Sequence, residues 1–465
     1  MLKNSRSLKW LLAILVLGTG IRLAWIYYVN TQPISDFKHY HDLALSLLHN
    51  GTYTMPEGLD YIKESTPFIK QGVSYPSAFR PPGYPFFLVL VYSLDPSILA
   101  AKIANVLLSL VWIVCAYLLV RRYFNERTGL WAALLTAVFP PAVSYTSLLS
   151  TEILAVTLIL VILCFFAYRT GGRWNPLLLG TFMGMLSLVK PQYAVFPALY
   201  ACMLWWERRG QRLQQKRSAG AQGWTERRKG LWSRIFSISV PVIYAGVFMA
   251  LVISPWTLRN YLVFHRFVPI STNGNFVLYI NNNDLNKGMY MDPMKVPHSI
   301  FKTDRILDEK GEYNEVDAMQ LARQEAVRWI TTHPRDAFLL GLDRLAVSYF
   351  NVGREIEEWT MSNAEIRFDQ VWVQPLMQGA RAAAWVVVGG GLLYSLILLF
   401  LFLRRRPLNV LHKINLLFIV FSTLVIFATE GQARYVFVID PFFLIGVSWM
   451  IERLTQAITH EGEEV

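Results

Sequence analysis

Two stretches of this sequence, LLAILVLGTGIRLAWIYYV (11–29) and AAAWVVVGGGLLYSLILLFLFL (382–403), each come close to the roughly 20 apolar residues a helix needs to cross a bilayer. In lipid no water satisfies the backbone, so a segment of this length must be helical. Similar runs recur along the chain, and only 16% of its residues are charged, against about 25% for soluble domains. The expected fold class is an all-α polytopic membrane protein. Helices are expected at about 10–29, 98–120, 129–147, 153–168, 175–189, 192–206, 235–254, 382–403, 411–429 and 435–453.

The net charge of +12 does not point to nucleic acid. Its excess sits in short segments flanking the apolar runs, where it signals topology. ERRGQRLQQKRSAGAQGWTERRKGLWSR (207–234) carries nine Lys/Arg against two Asp/Glu and is read as cytoplasmic. So are the basic N-terminus, RRYFNERTG (121–129), RTGGR (169–173) and RRRP (404–407). Crossing parity then closes only if GYPFFLVLVYSL (83–94) does not span. Twelve residues of helix reach about 18 Å, short of the hydrocarbon core, so this segment is expected to be re-entrant or interfacial, opened by Pro81 and Pro82.

Three units are expected: a transmembrane module over 1–254, an extracytoplasmic segment over 255–381, and C-terminal transmembrane helices with a cytoplasmic tail over 382–465. Within the middle unit, STNGNFVLYINNNDLNKG (271–288) reads as turns, followed by amphipathic helices over 316–332 and about 335–350. Cys115, Cys164 and Cys202 lie in apolar runs with no metal or disulfide spacing. His39 and His41, two apart on a helix, face different ways. No metal site is assigned, and a divalent metal stays open.

The segments assigned to the outer face hold Asp36, Arg80, Glu152, Lys190, Arg259 and Arg434, each at the end of a helix. Every one has a structural alternative: Asp36 could cap its helix, Lys190 and Arg259 could snorkel to headgroups, and Glu152 could pair with a neighbour. Together they offer more. Arginines hold phosphate bidentately, and a carboxylate can take a proton from a hydroxyl. Pro81, Pro191 and Pro255 are expected to break the helices there and open a cleft.

The order of SDFKHYHDLALSLLHNGTY, FRPPGYPFFLVLVYSL, PPAVSYTSLLSTEILA, LVKPQY, PWTLRNYLVFHRFVPISTNGNFVLYINNN and ARYVFVIDPFF resembles the type C (GT-C) membrane glycosyltransferases. The likeness is to the bacterial family similar to protein O-mannosyltransferases and lipid A aminoarabinose transferases. The resemblance implies an inverting transferase using a polyprenyl-phosphate-linked sugar, with Asp36 as catalytic base and Glu152 as second acid. It implies donor-phosphate cations at Arg80, Lys190, Arg259 and Arg434. His39, Tyr40, Tyr84, Asn281 and Asn282 are candidate contacts to the sugar or to an acceptor protein, lipid or glycan. Many relatives carry an acidic residue before the cation–proline motif, where this chain has Phe79. The expected setting is a bacterial inner membrane with the site facing outward. A transporter or flippase of an anionic lipid or solute, or a non-catalytic envelope-assembly protein, is the alternative; the absence of an internal repeat speaks against the transporter.

Overall fold

The computed structural model describes residues 5–55, 75–169, 174–218, 231–307, 311 and 313–461. Residues 56–74, part of the basic 207–234 segment and most of RTGGR lie outside the described residues.

All ten expected spans are helical, as Ser5–Tyr28, Ile98–Tyr123, Glu126–Val138 continued by Pro140–Ser144, Thr151–Tyr168, Trp174–Val189, Phe196–Ser218, Leu231–Phe264, Val373–Leu403, Val410–Ala428 and Asp440–Glu461. Six of the described helices are long and apolar enough to cross a membrane, and a bent pair makes a seventh. This is an integral multi-pass membrane protein. The basic flanks gather at one end of the bundle. There Arg122 Nε donates to Ala167 O, Arg169 pairs with Glu207, Asn409 donates to Tyr123 O, and Ser7 donates to Glu126. At the other end Lys102 donates to Asn30 and Trp25 to Ser147.

The bent pair corrects the expectation of a straight helix over 129–147: the chain turns by 58° at Phe139. Pro140 and Pro141 cause it, since neither has an N–H to donate. The carbonyls of Thr136 and Ala137, four residues earlier in each case, are thereby orphaned. Arg22, fully buried in the first helix, donates to both, at 3.1 Å to Thr136 O and 2.8 Å to Ala137 O. Its Nε donates to Ser109 at 2.7 Å. A buried arginine is tolerable here because its donors meet acceptors that would otherwise have none.

A second correction concerns Pro255. Helix Leu231–Phe264 runs through both Pro241 and Pro255, so it extends ten residues past the expected end at 254, and Arg259 lies on its last turns. Pro191 does interrupt its segment, opening a 3-10 turn, Pro191–Val195, after Val189.

The segment 83–94 forms a ten-residue helix, Gly83–Tyr92, too short to span. It packs on the amphipathic helix Ser35–Asn50 and on Trp174–Val189. Ser35–Asn50 buries Phe37, Tyr40, Leu43 and Ala44 on one face and ends at Gly51, whose left-handed conformation returns its N–H to Leu47 O at 3.1 Å. Beyond Phe264, Asn273–Asn281 replaces part of the expected turns and packs on Glu315–Thr332, and Pro334–Phe350 leans on Val410–Ala428. A separate apolar core joins Leu43, Tyr53, Phe79, Trp256, Phe276 and Phe301 beneath this cap.

Candidate active site

Asp36 is not a helix cap. Its helix starts with no side-chain cap hydrogen bond, and the preceding Ser35 is held at φ 49°, a left-handed conformation costing about 1–2 kcal/mol for a residue with a Cβ. The carboxylate is directed elsewhere. Arg80 Nη2 donates to Oδ1, and Arg434 Nη2 donates to Oδ2 at 2.8 Å. The Asp36 side chain keeps 19% of its surface exposed, while Arg80 and Arg434 keep 8% and 10%. Burial alone would push the Asp36 carboxyl up; the charges of Arg80 and Arg434, the Arg434 hydrogen bond and the nearby His39 outweigh it and hold the group well below the usual carboxylate range.

Each arginine is placed by its neighbours. Arg80 stands in FRPPG, where Tyr53 OH donates to its carbonyl at 2.9 Å and His39 Nδ1 lies 3.1 Å from Nη2. The glycine after the proline pair is required by a close approach: a Cβ at Gly83 would lie 2.6 Å from the Leu188 carbonyl carbon and from Val189 N. That contact brings Arg80 beside the end of helix Trp174–Val189, where Lys190 follows. Arg434 sits in a 3-10 segment, Ala433–Val438. The turn before it is tied down by Gly431 N to Gly288 O at 2.9 Å and by Gln432 N to Ser348 Oγ at 3.0 Å. The Arg434 guanidinium lies 5.1 Å from the Trp359 ring, which packs edge-on against Phe37. Its Nε is buried with no partner among the described residues.

Glu152 and Lys190 form a second buried pair at 3.1 Å. Glu152 lies in the first turn of its helix, where the exposed N–H groups favour a carboxylate. The pairs meet at Arg434. Burial disfavours its charge, but Tyr435, Asp36, Glu152 and Glu430 together hold it well above the usual arginine value. Glu430 accepts from Tyr435 OH at 3.2 Å, and burial keeps its carboxyl above the usual range despite Arg434.

Tyr40 and Tyr84 line the same region, their rings edge-on at 5.5 Å. The Tyr84 hydroxyl is buried with no partner among the described residues. His39 touches Arg80, whereas His41 turns to Tyr92 OH at 2.7 Å, on different faces as their spacing predicts.

Three of the expected residues have other partners. Arg259 is not with Asp36: it donates to Ser77 O at 2.8 Å and to Tyr53 O at 3.1 Å, clasping the strand ends on either side of the 56–74 stretch. Asn281 and Asn282 turn back on their own helix, to Val277 O and Leu278 O, and Arg344 binds Asn282 Oδ1 at 3.0 Å. The sequence reading missed Trp359, Glu430 and Tyr435. The acid four residues before Arg434 and the tyrosine after it were visible in TEGQARY; Trp359 left no signal. Among the described residues no group of three His, Cys, Asp or Glu is placed to hold a metal.

A family model, dolichyl-phosphate-mannose-protein mannosyltransferase, matches residues 79–221. That stretch carries Arg80, Glu152 and Lys190. No curated protein sequence matches the chain. Among solved structures, the Archaeoglobus fulgidus oligosaccharyltransferase in the apo form is similar with a TM-score of 0.54 and 12% identity, over all of this chain and 52% of that one. The archaeal oligosaccharyltransferase AglB from the same organism, in complex with an inhibitory peptide and a dolichol-phosphate, gives 0.50 and 12%, over 99% and 52%. ArnT from Cupriavidus metallidurans bound to undecaprenyl phosphate gives 0.37 and 13%, over 93% and 77%, too low to bear on the argument. The chain thus spans about half the length of the oligosaccharyltransferase chains it matches. Its fold is similar to that of the archaeal oligosaccharyltransferase over the length matched.

Proposed function

We propose that this protein transfers a sugar from a polyprenyl-phosphate-linked donor to a hydroxyl acceptor, inverting the anomeric centre, at the extracytoplasmic face of a bacterial inner membrane. The observation that carries the reading is a single, partly exposed carboxylate shared by two arginines that come from positions 44 and 398 residues away. It lies at the end of the bundle opposite the basic flanks.

The geometry supports a sequence of charge exchanges. With no donor bound, Arg80 and Arg434 neutralise Asp36, and a carboxylate so held is a weak base. A phosphate monoanion or diester oxygen accepts the same guanidinium N–H groups, and Arg434 Nε has a donor to spare. As the arginines turn to phosphate, Asp36 loses its countercharges and its affinity for a proton rises. It then removes the acceptor hydroxyl proton as the oxygen forms its bond to the anomeric carbon. The bond from that carbon to the phosphate oxygen breaks on the opposite side, and the charge gained by the phosphate falls on Arg80, Arg434 and the adjacent Lys190. Glu152 holds Lys190 and adds to the field on Arg434, which makes it a positioning residue. Residues 1–254 and 382–465 both contribute, since Arg434 returns from the last module to Asp36 in the first, and 255–381 braces the turn that carries it.

The relative solved with a dolichol-phosphate and the matching family description support this donor class. The test is transfer by purified protein from a synthetic polyprenyl-phosphate sugar. Asp36→Asn should abolish turnover with the fold retained, and undiminished turnover in that variant would overturn the assignment.

A further inference from the structure

At the basic end of the bundle, away from Asp36, a cleft of 490 Å³ opens between the ends of helices Ile98–Tyr123, Val373–Leu403 and Asp440–Glu461. The catalytic reading makes no use of it. Glu452 stands about three turns along its helix from Asp440, which separates the cleft from Arg434.

Three rings enclose part of the cleft. Phe124 and His412 have centroids 4.9 Å apart, and Trp449 stands edge-on to His412 at 5.0 Å. Glu452 lines the same space and is only 3% exposed. Gln456 donates to its Oε1 at 2.9 Å. Its Oε2 is buried with no hydrogen-bond partner among the described residues, a costly condition for a carboxylate. Several other polar groups of the wall are committed. Asn409 donates to Tyr123 O and accepts from Leu411 N, Asn125 accepts from Thr128 N, and His412 Nδ1 pairs with Tyr394 OH at 2.8 Å. Glu452 Oε2 is a buried, open acceptor.

Positive charge flanks it. Arg453, exposed, lines the cleft with its guanidinium 5.6 Å from the Trp449 ring. Arg404, Arg405 and Arg406, all exposed, join Leu401 to Pro407, two further wall residues. Phe402, Leu403, Leu454 and Ile458 are exposed apolar side chains on the same helix ends, a surface suited to hydrocarbon.

We propose that this cleft binds the headgroup of an amine-bearing phospholipid. The ammonium donates to Glu452 Oε2 beside the rings of Trp449, His412 and Phe124, and the phosphate meets Arg453 and the Arg404–Arg406 run. An ammonium supplies the missing donor, and aromatic faces attract cations. A purely anionic headgroup would set negative charge against Glu452, and a simple amine would leave the arginines unmatched. Acyl chains lie along the exposed Leu454 and Ile458.

The test is native mass spectrometry of the full chain in detergent, titrated separately with phosphatidylethanolamine and phosphatidylglycerol. Wild type should retain the former preferentially. Glu452→Gln should lower that retention about tenfold, the loss of one charge-assisted hydrogen bond, leaving phosphatidylglycerol unchanged. Arg453→Gln, at an exposed position, should lower it a few-fold and carries the test if the first variant fails to fold. Equal retention of both lipids by wild type, or ethanolamine-lipid binding that survives both substitutions, overturns the proposal. A thermal-shift arm with soluble phosphoethanolamine separates the sources: stabilisation equal to that given by the lipid would mean a free amine-phosphate site and overturn the lipid assignment. None of these readouts involves Asp36, so the outcome is independent of the transfer reaction.

Discussion

Asp36 and Glu315 are both acids held at junctions between the helical bundle and its cap, and they are held in opposite ways. Glu315, 5% exposed, accepts from Ser77 Oγ at 2.7 Å, Ala78 N at 2.9 Å and Thr272 Oγ1 at 3.0 Å. All three donors are neutral, and burial pushes its carboxyl above the usual range despite them. Asp36 has two cations and remains partly open, and its carboxyl is held down. The same contrast divides the arginines: Arg259 gives its donors to backbone carbonyls, whereas Arg80 and Arg434 give theirs to a side chain that a ligand can replace. A charge satisfied by fixed, neutral groups is a clasp; a charge satisfied by other mobile charges is available for exchange.

Four measurements press on that contrast. Asp36→Asn should lower sugar transfer by about 10²–10⁴-fold, the range for removing a general base, with little change in melting temperature; a variant that unfolds instead would make Asp36 a clasp too. Glu315→Ala strands three buried donors and should cost about 2–4 kcal/mol of stability, read by thermal unfolding, with turnover per folded molecule preserved. Next, Arg80→Ala should weaken competition by a free polyprenyl phosphate about tenfold or more, while Arg259→Ala should leave that affinity in place and lower stability by about 1–3 kcal/mol. The reverse pattern would return Arg259 to the phosphate site.

The smallest effect is in pH. The folded-state value of Asp36 is depressed, so its contribution is present above its ordinary 3.8 and is lost as pH falls below that. The value of Glu315 is raised, so its contribution is full below 4.5 and is lost as pH rises through the higher folded value. Relative to wild type, Asp36→Asn should therefore flatten stability on the acid side and Glu315→Gln on the side above 4.5, in unfolding curves taken across both ranges. Matching slopes would erase the distinction.

Sequence alone carried the helices far. Apolar runs located the helices, because lipid leaves a segment of that length one conformation; six of the described helices, or seven with the bent pair, are long and apolar enough to cross. The motif order placed Asp36, Arg80 and Arg434 on a shared list, and the fold brings those three into contact. What failed depended on partners outside each segment. Arg259 looks equivalent to Arg80 until the carbonyls of Tyr53 and Ser77 are positioned beneath it. Pro255 reads as a break, yet its helix passes through. Asn281 and Asn282 look like a polar wall, but helix ends consume such side chains locally. Glu315, one residue before the stretch read for its helical period, showed no sign of its burial.

Arg22 and the proline pair bear on how the protein is made. When the first segment leaves the translocation channel, it carries a cation whose lone placement at mid-bilayer costs about 2.5–3.5 kcal/mol. When the third emerges, it brings two carbonyls that its own backbone cannot serve. Each defect is cured by the other, across 114 and 115 residues of chain. The buried partners of Arg22 are therefore complete only once the segment carrying Pro140 and Pro141 has been synthesised.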